Sequence, residues 1–199
     1  MATQPPPRHI NVFNTIWRDW IYFFWEKSEK SGWQYLGSFD PTVPEELTGI
    51  PTTAVQVRVI LNAVSFSVNL SGMTIELGDS TSGIGSGYST SGISLGINLD
   101  GFGNVGTDVR KLLDGRYVIN PTNHGAGISW YGEVTFSKKD NTANNDWAGS
   151  GILATDTVVG TGAENVTSGL ITVPGALNKV KMTVSAGVFS TGTVDVWYQ

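Results

Sequence analysis

From residue 55 onward the apolar residues of this chain recur at every second position. Val55, Val57 and Val59 alternate with Gln56 and Arg58, Val64, Phe66 and Val68 alternate with Ser65, Ser67 and Asn69, and Ile75 and Leu77 flank Glu76. A period of two puts one face of an extended chain in a core and the other in solvent, which is the pattern of half-buried antiparallel strands. Further candidates are 93–99, 117–120, 128–138, 169–173, 179–185 and 193–198, separated by Gly, Asn, Asp and Ser clusters. Only "DVRKLLDG" (108–115) has the spacing of a short helical turn. Eight or nine short strands joined by polar turns predict an antiparallel β-sandwich of jelly-roll-like type over residues 52–199.

The segment ahead of these strands has a different period. "NTIWRDWIYFFWEKSEKSGWQY" (14–35) holds four of the seven tryptophans, and Phe13, Ile16, Trp17, Trp20, Ile21 and Phe24 fall at i, i+3, i+4, i+7, i+8 and i+11. That spacing predicts one amphipathic aromatic helix over about 12–30, with Asn11 or Asn14 as N-cap and Gly32 as its stop. Tyr22 and Trp25 project from the opposite side, so more than one neighbour is needed to bury it. The helix can pack on the chain's own β domain, or in a bundle with copies of itself or on a partner. The second is favoured by its terminal position and by the three prolines of "SFDPTVPEELTGIP" (38–51), which reads as a boundary. The expected division is a Pro-led leader and helical anchor over 1–40, a linker over 41–51 and a β domain over 52–199.

Composition narrows the function classes. The formal net charge is −5 and no Lys/Arg run occurs, which argues against a nucleic-acid groove, because such affinity rests on phosphate neutralisation. The longest apolar run, residues 21–25, is far short of the ~20 residues of a spanning helix, so no membrane insertion is expected. With no cysteine, the redox compartment stays undecided.

No constellation of reactive residues has the spacing that catalysis needs. Gly92, Ser94 and Gly96 match G-x-S-x-G, but the motif requires a strand–turn–helix context and here lies in a Ser/Gly-rich stretch, "GDSTSGIGSGYSTSGISLGI" (78–97), that reads as a surface loop or as a glycine-rich edge packed on a symmetry mate. His9 and His124 have no second ligand at metal-binding spacing, and His124 reads as a turn residue. The loop from Asp140 to Asp146 offers alternating oxygen ligands for calcium, yet Asn145 and Gly151 stand where the sixth-place glycine and twelfth-place glutamate belong. The expectation is a non-enzymatic protein without cofactor or metal. Trp147, in the polar "NNDWAG" stretch, is the candidate for stacking on a glycan; its alternative is a loop residue folded onto the body.

Taken together, "PPPRHINVFNTIWRDWIYFFWEKSEKSGWQYLGSFDP", the β-rich body and the ending "VKMTVSAGVFSTGTVDVWYQ" resemble the layout of small tailed-bacteriophage virion proteins. Gly192, Thr193, Val194, Val196 and Tyr198 match the "SGTI-x-LYG" ending common in phage fibre-type sandwiches, with Gln199 in place of the final glycine. The resemblance implies a homotrimeric fibre, spike or decoration in the virion, held to capsid, neck or tail by an anchor and oligomer interface of Phe13, Ile16, Trp17, Trp20, Ile21, Phe24 and Trp25. The alternative is a receptor- or glycan-binding tip that mediates host attachment.

Overall fold

The computed structural model describes residues 32–43, 46–68, 72–79, 89–99, 105–111, 117–120, 126–139, 145–155 and 163–199. The expected helix over 12–30, with all its interface residues, lies outside the described residues, as do His9 and His124. Residues 1–34 with Gln199 and residues 35–198 separate into two compact units.

Twelve strands run through the described part: β1 (Gln34–Phe39), β2 (Leu47–Thr48), β3 (Gln56–Phe66), β4 (Met73–Asp79), β5 (Ser89–Leu99), β6 (Val105–Lys111), β7 (Tyr117–Asn120), β8 (Trp130–Lys138), β9 (Asn145–Thr155), β10 (Ala163–Val173), β11 (Leu177–Val184) and β12 (Phe189–Tyr198). They form an eight-stranded sheet ordered β1-β12-β3-β8-β9-β10-β5-β6 and a four-stranded sheet ordered β2-β11-β4-β7. The chain is mainly β, its recorded strand pairings are antiparallel, and no helix occurs among the described residues.

One buried cluster draws on both sheets. Val57, Val59, Val134, Phe136, Trp147 and Val196 come from the larger sheet, and Met73, Ile75, Leu77, Tyr117, Val180 and Met182 from the smaller. The Tyr117 and Phe136 rings meet edge to face at 5.0 Å. Gly149 on β9 makes room for them, because a Cβ there would stand 2.6 Å from Tyr117 Cε2.

The two alternating runs at 55–59 and 64–68 belong mostly to one strand. Val57, Val59 and Leu61 are buried at odd positions, Val64 and Phe66 at even ones, and the register of β3 against β8 slips between Leu61 and Val64. An extra residue opposed by none on the partner strand shifts the phase of a pleat by one. Ala63 takes it up with φ 54°, and its carbonyl accepts a hydrogen bond from Thr191 Oγ1 at 3.1 Å.

Several expectations are corrected by long-range pairing. The stretch 38–51 is no free linker: β1 takes Phe39 into the core, β2 pairs with β11, Ile50 is buried, and the amides of Gly49 and Ile50 both donate to the Asn178 carbonyl at 3.0 Å. The β body therefore begins at about residue 35, inside the expected anchor. Residues 89–97 of the expected loop form β5 between β10 and β6, and 108–111 of the expected helical turn form the end of β6. Ladder hydrogen bonds override a weak local preference in each case, to strands distant in sequence for 38–51 and β5 and to the preceding strand for β6.

Candidate functional site

The clearest correction concerns Trp147. It lies on β9, not in a loop, opposite Lys138 of β8 and Ile171 of β10, and only 1% of its surface is exposed. An aromatic that stacks on a sugar must present a ring face to solvent, and this one is enclosed in the core. Its neighbour Asp146, from the calcium-like loop, is also buried and accepts a hydrogen bond from Thr172 Oγ1 at 2.7 Å. Residues 140–144 lie outside the described residues, and among the described residues no group of three or more His, Cys, Asp or Glu is placed to hold a metal ion. Ser94 stands in the middle of β5, flanked by Thr167 and Arg110 in register, with no strand-to-helix turn at that point.

The exposed chemistry of the described residues gathers on the outer face of the eight-stranded sheet, the face turned away from the shared core. At its β1 end, Tyr35 and Trp197 pack with ring centroids 4.9 Å apart and planes tilted by 52°, and Tyr35 is half exposed. Trp197 stands opposite Arg58 in register, and Arg58 Nε lies 3.7 Å from Glu133 Oε2. Ion pairs as exposed as this one contribute at most about 1 kcal/mol, so their use is to shape the surface more than to hold the fold. Asn62 Nδ2 donates to Asp195 Oδ2 at 2.8 Å beside them. Further along the same face Tyr131, Ile152 and Val166 are exposed.

These outer residues follow from the phase of their strands. On β12, Val194 and Val196 point into the core, so Trp197 must point out; on β9, Leu153 points in, so Ile152 must point out. Strand membership alone does not assign Trp197 a face. The usable signal was the alternation itself.

On the core side, the Tyr117 hydroxyl is buried without a well-aligned hydrogen-bond partner. Burial pushes its pKa up to about 12, and the Thr167 side chain offsets part of that effect. Because the folded pKa exceeds the unfolded value near 10, stability is unchanged below pH ~10 and falls between pH ~10 and ~12 as only the unfolded chain ionises there. Urea titrations across this window should show a loss on the order of 2 kcal/mol, and Tyr117→Phe should flatten that part of the profile; an unchanged slope in the variant would assign the effect elsewhere.

Comparison with protein-family models, with curated proteins and with solved structures finds no match for this chain.

Proposed function

We propose that this chain is a non-enzymatic structural protein of a tailed-bacteriophage virion, a homotrimeric fibre or decoration held to capsid, neck or tail through residues 1–34. The two sheets around one core serve as the layers of a jelly-roll-like sandwich, and residues 12–30 form the aromatic anchor helix. The observation that carries the reading is the position of the first strand: β1 neighbours the final strand β12 at one edge of the large sheet. The segment proposed as anchor is therefore continuous in sequence with an edge strand of the body. The sequence layout supports the same division, with its Pro-led aromatic segment ahead of a neutral-polar body.

A second reading, a glycan-binding tip for host attachment, is favoured by one feature. Tyr35, half exposed, packs on the partly buried Trp197 beside Arg58, an aromatic pair of the kind on which sugar faces stack. Particles purified from the encoding phage separate the two readings. Deletion of 1–31 should remove the chain from particles, whereas Trp197→Ala should leave both incorporation and adsorption at wild-type levels. Retention of the deleted chain in particles overturns the anchor, and normal incorporation with lost adsorption favours the tip.

A further inference from the structure

Two edge strands join residues 35–51 to the rest of the body. β1 lies at the margin of the large sheet beside β12, and β2 at the margin of the small sheet beside β11, so each is paired on one side only. The segment also packs on itself. A Cβ at Gly37 would stand 3.3 Å from Leu47 Cδ1, and one at Gly49, where φ is +101°, 3.8 Å from Leu36 Cδ1. Few of its side chains reach inward: Phe39, Pro41 and Ile50 are buried, whereas Tyr35, Ser38, Thr42, Val43 and Thr48 are exposed. Its polar hold on β11 is a shared acceptor, the Asn178 carbonyl that takes both the Gly49 and Ile50 amides, and an ion pair of Glu46 with Lys179 at 3.2 Å. A turn closed by the Ala54 amide on the Pro51 carbonyl ends the segment, and the Val55 carbonyl then accepts from the Lys138 amide where β3 and β8 begin their ladder.

From this one-sided attachment we infer that residues 35–51 form a clasp that opens as one unit while the two sheets behind it stay folded. Segments with few buried side chains and solvent-facing ladders open at lower free energy than central strands. The packing of Leu36 on Gly49 and of Leu47 on Gly37 ties the two strands together, so β1 leaving β12 loosens β2 on β11. Opening frees about 17 residues, or roughly 55 Å of extended chain. The clasp stands on the geometry of the body alone; its use rests on the proposed function, in which it supplies that length of slack between a held N-terminal segment and the sheets.

Amide exchange of the full-length chain, followed residue by residue by NMR through low urea, tests the clasp. The Gly49 and Ile50 amides should exchange on the order of 100-fold faster than that of Val59, which lies between β12 and β8, and without the urea dependence of Val59. Phe39→Ala, on the other strand and the other sheet, should speed Gly49 and Ile50 about tenfold or more, because both strands leave together. A cysteine pair supplies the converse. Thr48 and Lys179 are register partners next to the hydrogen-bonded Gly49–Asn178 position, which gives them the close Cα spacing that a disulfide spans. The chain has no cysteine of its own, so oxidised Thr48→Cys/Lys179→Cys should bring Gly49 and Ile50 to about the Val59 rate, and reduction should restore the gap. Wild-type Gly49 and Ile50 exchanging at the Val59 rate and with its urea dependence would overturn the clasp, as would rates unmoved by Phe39→Ala or by closing the disulfide. Those results leave the anchor standing, because exchange does not read attachment; retention in particles of the chain lacking 1–31 overturns the anchor and leaves the clasp.

Discussion

Replacing Trp147 by alanine should lower the unfolding free energy by about 3–5 kcal/mol, the range for removing a large buried aromatic. For a body of this size that corresponds to a fall in Tm on the order of 10 °C. The cost is this large because the indole is enclosed on the core face of β9, in register with Lys138 and Ile171, and the cavity left behind is walled by strands on both sides. Its Nε1 is buried without a hydrogen-bond partner, so the residue acts through volume and not through a polar contact. Trp147→Phe keeps most of that volume and removes the unpaired donor, and it should lose less than half as much. Thermal and urea denaturation of the two variants check the ranking. A Trp147→Ala chain with wild-type Tm would mean that the ring is not in the core and would reopen its reading as a sugar-stacking residue.

Gly132→Ala should be comparably damaging although it adds a single methyl group. Gly132 has φ +138°, a backbone conformation that L side chains rarely adopt, and its Cβ would stand 2.2 Å from the Ile152 carbonyl oxygen and 2.8 Å from Leu153 Cα. Both are backbone atoms of β9, so no rotamer change relieves the overlap; β8 and β9 must move apart. Backbone strain and overpacking each cost about 1–3 kcal/mol, which together predict a loss of about 3 kcal/mol or more. Ser150→Ala, an exposed position on the same strand pair, should stay within about 0.5 kcal/mol of wild type. Equal midpoints for the two variants in urea would show that the β8–β9 ladder tolerates the extra atom.

The two variants share a cause that local sequence does not display. "NNDWAG" looks like a hairpin tip because it is polar on every side of one tryptophan, yet Asp146 and Trp147 are placed by pairing of β9 with β8 and β10. Gly132 follows Trp130 and Tyr131 in an ordinary strand pattern, and its requirement for glycine comes from the carbonyl of a strand 20 residues away. The outward placement of Ile152 is equally hidden, since it lies beside Leu153 and only the register decides which of them faces the core.

Local alternation by itself determined that the body is β and antiparallel, and it located the strands around Val57, Ile75, Val134, Val180 and Val196, because a half-buried strand writes its two environments into successive residues. Tertiary structure alone decided that 38–51 is stitched to β11, that the strand candidate at 93–99 extends back to Ser89 and lies between β10 and β6, that Ala63 re-phases β3, and that Trp147 is enclosed while Trp197 is turned outward. The physical reason is one of range. Side-chain alternation is a property of neighbours in sequence, whereas ladder hydrogen bonds, register and enclosure are properties of strands that meet from distant parts of the chain.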